Sequence, residues 1–564
     1  MNTNLGMKIS TSALRALQIL IFILIPLCFA QAKKLSEISK LSAGAPTILG
    51  RKLGPNSYIT VEAQKLNRAR VVWVNWDYLR KAGYEVADEQ MTPEIERAML
   101  DAFAWGVRAP GEPASAFSET EKKIFYADRY GGDGLAGNMG SGRAASAGDI
   151  QIKGIGKTDL VTTIGPSHSN GTAEMQEAIR EALYGEVGQV LPYGANRVIA
   201  IIDRGTQTKF ESGYVQQNAL IIREDSLRSA HYMKNLWGRG PLMASENIRT
   251  QEALKYFLRG FPVPANLKQA SAPEKIRGAL LAYADRIANA YAAAFTLKIY
   301  HGATSVSNIE ASGRFIDYGT LTTLPDYGKT KIIEINDPNG EITEFKEILM
   351  LEFLRNVRDN LPKNLATRVP TDDEMTTAFE NAYNEHLHHH FLRLTGLSEA
   401  EISRLEKTPE SYRLTEFMLR VATDGAKTIM DPHDSASLTQ YNLNRIIVKF
   451  VQANSLNPEK LMESIRNEMR GSGSINLRRD LISSYISLMA QTNENRAEML
   501  ARAQDINAQR TSAYRWDMYG KADSLTAAYI KSQDPKEISN GMNQLIREVK
   551  TPSKTISTCR EVFN

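Results

Sequence analysis

Residues that could grip a phosphorylated ligand appear along this chain in a suggestive order. A glycine-rich stretch beginning at Tyr126 runs through Gly140 and Gly142 to Arg143, and a short strand-like run then ends at Lys153. Glycines let backbone N–H groups approach phosphate oxygens closely, and a lysine one strand later supplies a point charge for the same phosphates. Glu181 follows on the next predicted helix, within Ala178-Ile179-Arg180-Glu181. There it can pair with Lys153, orient the ammonium and keep it charged; the alternative is a solvated helix residue. Much later, His301 opens a segment that runs to Asn308, and Asp317-Tyr318-Gly319 begins nine residues after that asparagine. An asparagine and an aspartate on two sides of a short hairpin can share a Mg²⁺ ion, which wants hard oxygen ligands. The alternative is a surface hairpin with turn-forming Asn and Asp.

The elements that must position these residues read as follows. Val71-Val72-Trp73-Val74 is a buried strand, residues 92–105 a helix and residues 106–120 a loop. Asp149–Ile152 is a strand, Ala173–Val187 a helix, and Arg197–Ile202 and Ala219–Ile222 are further strands, giving an α+β unit built around a sheet. After Pro264 the chain becomes mostly helical. Ser271-x-x-Glu274 and Ser398-x-x-Glu401 are capping boxes, residues 299–335 break the helical pattern, and Gly471–Ser474 is a flexible turn. The expected division is an N-terminal arm (33–57), a first lobe (58–264), a second lobe (265–450) and a helical extension (451–564).

Composition bounds the rest. The chain has 564 residues, is 42% hydrophobic and 23% charged, and carries a formal net charge of only +4. No nucleic-acid-binding field follows from that balance. Lys8 and Arg15 precede an apolar run from Leu17 to Phe29 and then Ala30-Gln31-Ala32, the pattern of a secretory signal cleaved before Lys33. An uncleaved anchor is the alternative, although the run is shorter than the ~20 residues that span a membrane comfortably. Cleavage removes Cys28 and leaves Cys559 alone, so an intramolecular disulfide is excluded. The expected localisation is therefore periplasmic or secreted, with no membrane partner after cleavage.

Glycine-rich loop, lysine, helix glutamate, asparagine, then Asp-Tyr-Gly is the order of parts in a bilobal kinase. From about Tyr58 to the low 500s the chain resembles the SelO (YdiU) family of protein adenylyltransferases. Asn138-Met139-Gly140-Ser141-Gly142-Arg143-Ala144 resembles the family's Q-L-G-D-G-R-A, and Ile152-Lys153-Gly154-Ile155-Gly156 its L-K-G-A-G. Ile179-Arg180-Glu181 matches I-R-E, Ala195-Asn196-Arg197 resembles T-T-R, and Ile316-Asp317-Tyr318-Gly319 matches I-D-Y-G. The resemblance implies an α+β, bilobal protein-kinase-like fold with a helical C-terminal extension. It implies ATP bound in a flipped orientation, with AMP transferred to hydroxyl side chains of a protein or peptide acceptor. Gly140, Gly142, Arg143, Lys153, Asn170, Gly171, Arg223 and Arg228 would contact the nucleotide. The spacing of Arg223 and Arg228 is shorter than in the family. Asn308 and Asp317 would bind Mg²⁺, or Mn²⁺ in its place.

Two departures stand out. The family's proposed base, the aspartate before the metal-binding asparagine, is Ser307 here, and a serine is no general base near neutral pH. The aspartate of G-D-G-R is Ser141. Ser307 leaves open carboxylate activation through an adenylate, and a non-catalytic nucleotide-binding pseudokinase scaffold, as rival readings. Two other signals carry less. His386 and His390 are four apart in Glu385-His386-Leu387-His388-His389-His390 and could share a metal, but the helix resembles one with no metal role. His168 and Ser169 have no visible third partner for a hydrolase triad.

Overall fold

A computed structural model describes residues 33–550 apart from 110, 133–138, 162–169, 190–193, 237–240, 298, 302–304, 319–320, 324–328, 331–349, 425–427, 430–442, 467, 470–474 and 512–514. The expected signal segment with Cys28, and Cys559, His168, Ser169 and the expected turn at Gly471–Ser474, lie outside the described residues. No described helix is long and apolar enough to cross a membrane.

The first half of the chain is an antiparallel sheet. Its strands are β1 (Tyr58–Leu66), β2 (Arg70–Val74), β3 (Trp105–Gly106), β4 (Phe117–Asp128), β5 (Ala144–Ala147), β6 (Ile150–Lys153), β7 (Ala173–Glu174), β8 (Val198–Lys209) and β9 (Val215–Glu224). They run β2-β8-β9-β6-β5-β4-β1-β3, with β7 also paired to β9. Residues alternate across the sheet. On β9, Ala219 and Ile221 join the core shared with the helical half, while Leu220 and Ile222 join a second core on the other face. That second core is closed by α1 (Pro93–Phe103), which buries Met99, Ala102 and Phe103. Both faces are covered, so the central strands read as continuous apolar runs rather than as an alternation.

Helix α2 (Met175–Gln189) lies on the first face. The long α3 (Ala272–Leu297) then pairs with α4 (Asp372–Leu394). Beyond them α5 (Pro409–Asp424), α6 (Leu443–Gln452), α7 (Ile475–Met489) and α8 (Arg496–Thr511) pack around a third core, which Ala292 and Phe295 of α3 join to the rest. The last two helices, α9 (Arg515–Ser532) and α10 (Lys536–Lys550), leave that bundle and return to the sheet half, where both pack on α2. The Trp73 indole N–H donates to Asn543 Oδ1 at 3.1 Å, and Arg70 donates to the Gln533 carbonyl at 3.0 Å.

The mixed α+β class agrees with the sequence, and several details differ. The expected loop over 106–120 gives way at Phe117 to β4, whose first half carries exposed charged residues and so lacks an apolar signature. The Ser398 box is half-formed: Ser398 Oγ accepts from Glu401 N, but the Glu401 carboxylate turns to Arg404 instead. At Ser271 the Glu274 carboxylate accepts from the Ser271 N–H at 2.9 Å and from its hydroxyl, which leaves that hydroxyl's donor spent. A complete reciprocal box is formed by Thr371 and Glu374, opening α4.

Candidate functional site

The β5–β6 hairpin turns over Gly148-Asp149, and its register sets Ala144 opposite Lys153. Arg143 and Lys153 are thereby brought to the same open end, where the Gly154 N–H donates to the Arg143 carbonyl at 2.8 Å. Lys153 is the last residue of β6 and only 3% of its side chain is exposed. Helix α2 passes over this end. Glu181 Oε2 accepts from Lys153 Nζ at 2.7 Å. Glu177, one turn earlier on the same face, reaches that ammonium at 2.9 Å. It also takes a bidentate pair of hydrogen bonds from Arg143, at 2.9 and 2.7 Å. Arg223, on β9, donates to Glu181 and makes two bonds to Gln151 Oε1 at 3.0 and 2.7 Å.

The opposite wall comes from the segment Ser305–Tyr318. Ile309 and Phe315 form an antiparallel bridge, and Ile316 N donates to the Asn308 carbonyl at 3.0 Å. Asn308 and Asp317 therefore lie side by side at the open end of a hairpin. His301 braces it: its Nε2 pairs with the Ile316 carbonyl at 2.9 Å, and burial holds the imidazole below its ordinary pKa. Asp317 has φ +65°, a left-handed backbone that costs energy away from glycine and is held only by its surroundings. Its carboxylate accepts directly from Lys153 Nζ. A lysine from the sheet and an aspartate 164 residues later thus meet in one contact.

The charges in this cluster balance. Glu177, Glu181 and Asp317 face Arg143, Lys153 and Arg223. Burial alone would push the Asp317 carboxyl up, but Lys153, Arg223 and Arg143 hold it well below the usual carboxylate range. Burial opposes ionisation of Glu177 as well, and Arg143 and Lys153 reverse it, so that this pKa is also lowered. Burial would likewise depress Lys153, yet Asp317, Glu177 and Glu181 raise it. Asp317, Glu177 and Lys153 are each held in the charged form by these neighbours. Carboxylate oxygens of Glu177, Glu181 and Asp317 all lie within 4.8 Å of one another, and hard oxygen donors of this kind suit Mg²⁺ or Mn²⁺. The ammonium of Lys153 contacts all three carboxylates.

Of the residues singled out in the sequence, Arg143, Lys153, Glu181, Arg223 and Asp317 share this cluster, with Asn308 beside Asp317. The others lie around it. Gly140 (φ +148°) and Gly171 (φ +83°) adopt backbones that side chains resist, and a Cβ on either would collide with protein backbone, at Asp128 O and Lys157 N. A Cβ on Gly142 would come within 2.6 Å of Val161 Cα. The fold itself demands these glycines. Asn170 Oδ1 accepts from Thr172 N at 2.9 Å, and its Nδ2 is buried with no partner among the described residues. Arg228 bridges to the hairpin, donating to the Ser307 carbonyl at 2.6 Å, with its guanidinium 5.2 Å from the Tyr130 ring centre. The Ser307 hydroxyl lies 2.9 Å from that of Ser305.

The histidines of α4 have protein partners. His386 pairs with Asp285 at 2.9 Å, His390 with Asn289 at 2.8 Å, and His389 with Glu399 and Glu406. His388 stacks on Tyr412 and bonds Thr415. Among the described residues, the only three side chains of metal-ligating type that converge are Glu177, Glu181 and Asp317. Glu177 is the site residue that sequence reasoning missed. The available signal was its position one helical turn before Glu181, which places both carboxylates on the face that meets Lys153.

No family model matches the chain. Distant relatives do. The protein nucleotidyltransferase YdiU of Cytophaga hutchinsonii is 22% identical over 274 residues, which cover 45% of this chain and 50% of that protein. Its namesake in Cereibacter sphaeroides is 24% identical over 362 residues, 62% of this chain and 69% of the relative. In a second Cereibacter sphaeroides strain the values are 25% over 281 residues, 49% and 52%. The alignments thus span between half and about two thirds of the relatives' length. By sequence the chain is distantly similar to the YdiU protein nucleotidyltransferases.

Proposed function

We propose that this chain is a nucleotidyltransferase that binds ATP with a divalent cation at the Lys153–Asp317 cluster and transfers AMP to a hydroxyl group of a protein or peptide. One observation carries the reading: Lys153, Arg143 and Arg223 converge on Asp317, a carboxylate from a separate hairpin that also carries Asn308. The relatives' name, protein nucleotidyltransferase, points the same way. On this reading the sheet half and the helical half are the two lobes of a kinase-like fold, and the nucleotide lies between them. The N-terminal pattern in residues 1–32 adds that the protein is exported.

Lys153 and Arg143 would bind phosphate oxygens, with Glu181 keeping the lysine in place. Asn308 and Asp317 would hold the Mg²⁺ or Mn²⁺, which supplies charge neutralisation on the phosphates. In the transfer the acceptor oxygen attacks the α-phosphorus. The bond from that phosphorus to the bridging oxygen breaks, pyrophosphate leaves, and the hydroxyl proton passes to water or to a base. No carboxylate stands at Ser307 to take it, which lowers the expected rate by roughly 10²–10⁴-fold against a site with a base. The same serine favours a second reading, a nucleotide-binding scaffold without turnover.

Incubation with α-³²P-ATP and γ-³²P-ATP tests the proposal. Label on protein from the α position alone supports AMP transfer, and label from γ alone makes the protein a kinase. Pyrophosphate without stable label indicates carboxylate activation, and nucleotide-dependent thermal stabilisation without turnover indicates the scaffold. Lys153→Ala and Asp317→Ala should each abolish turnover; activity surviving in both rejects the site.

A further inference from the structure

Arg143 already holds an anion. Its guanidinium grips Glu177 with two parallel bonds, at 2.9 and 2.7 Å, the fork-to-fork geometry in which arginine also binds phosphate. Its one other described acceptor is the Thr172 carbonyl, at 3.2 Å. The same carboxylate takes a bond from Lys153 at 2.9 Å. Lys153 does not need it for orientation, because Glu181 supplies that at 2.7 Å from a more deeply buried position. Glu177 is the outer of the two, with 17% of its side chain exposed against 3% for Glu181. Three carboxylates cancel three cations here, so the closed cluster presents no net positive charge to a polyphosphate.

We propose that Glu177 is a built-in competitor of the nucleotide's phosphates: it occupies Arg143 and Lys153 in the free protein and is displaced toward solvent when a polyphosphate binds. The inference rests on the nucleotide reading above and deepens it. Glu177 lowers the affinity of the site by keeping most molecules closed, since a ligand that binds only the open form pays for the closed fraction. Glu181 remains as the orienting partner of Lys153 in both forms. Displacing Glu177 frees one bidentate cationic fork and changes the local charge balance by one unit toward positive.

The experiment measures binding of Mg-ATP, and of inorganic tripolyphosphate, by calorimetry to the full chain. Glu177→Gln keeps the side chain's size and removes its charge. It should tighten both ligands by about tenfold or more, because a neutral amide competes less well for a guanidinium. Glu177→Asp, which keeps the charge but cannot span both cations, should give a smaller gain. The double variant Glu177→Gln/Arg143→Gln should lose the gain. Thermal unfolding without ligand shows whether each variant is folded, and Glu177→Asp serves if Glu177→Gln is not. Unchanged or weaker binding in the folded variants overturns the proposal and makes Glu177 a positioning residue for Arg143. If tripolyphosphate tightens while ATP binds none of the proteins, the competitor stands and the nucleotide reading falls. If no polyphosphate binds any of them, both fall.

Discussion

Two buried arginine–glutamate clusters lie on the same sheet and have opposite characters. Arg204 is fully buried and spends its five guanidinium hydrogens inside the protein. Two go to Glu112, at 2.8 and 3.0 Å, and three to the carbonyls of Gly154, Ile155 and Val107. Thr206 and Asn218 complete the shell of Glu112. Arg143 and Lys153 instead bond chiefly to side-chain carboxylates, Arg223 bonds Glu181 and the Gln151 amide oxygen, and 32% of the Asp317 side chain is exposed. Burial of charge alone does not mark a functional site, because structural networks do the same. A cation whose partners are backbone carbonyls cannot exchange them, whereas one whose partners are mobile carboxylates can take a phosphate in their place.

The contrast can be broken most decisively at its extremes. Asp317→Asn should lower turnover by at least about 10³-fold, with a modest change in urea midpoint. Arg204→Ala should do the reverse to the fold, costing about 3–5 kcal/mol in urea denaturation because Glu112 is left charged and unpaired. Equal stability losses in the two variants would erase the distinction. Ser307→Asp sharpens it from another side. If Ser307 limits proton transfer, that variant should raise AMP transfer by roughly 10²-fold, read as α-label on protein.

A further prediction uses pH. Burial, with Asp128 close by, pushes the Asp225 carboxyl up to about 8, although Ser146 donates to it at 2.9 Å. A raised acid binds more protons folded than unfolded, so it removes stability as pH climbs from about 4 toward 8. Asp225→Asn should therefore stabilise the protein increasingly over that range and not below it, as read in urea titrations at several pH values. Asp317 and Glu177 act with the opposite sign. Their lowered values contribute stability that is complete above about pH 4 and fades only as acid protonates them. The smallest effect is expected at His386. Its pair with Asp285 is solvent-accessible, so His386→Ala should cost less than about 1 kcal/mol and leave nucleotide binding unchanged.

How legible this was depended on how local each signal is. Lys153 ends a short strand-like run, and Asn308 and Asp317 flank a hairpin whose spacing is visible in the chain. Five of the named residues consequently fall in one cluster. Glu177 carries only the faint mark of its place one turn before Glu181; on its own, a glutamate in the first turn of a helix reads as a solvated, helix-favouring residue. Only the β5–β6 register, which brings Arg143 beside Lys153, turns it into part of the site. The glycines were visible as a loop, but their reason lay elsewhere, in the backbone of Asp128, Val161 and Lys157 packed against them. β4 was hidden because half of it is charged and exposed.

The return of α9 and α10 to the sheet has a consequence for the order of events. They cover α2, the helix that presents Glu177 and Glu181, and contacts such as Trp73 to Asn543 join residues 470 apart in sequence. A ribosome making this polypeptide finishes Lys153 and Asp317 long before it makes the helices that seat α2. The nascent chain therefore carries every charged group of the cluster before the two helices that pack on α2 have been made.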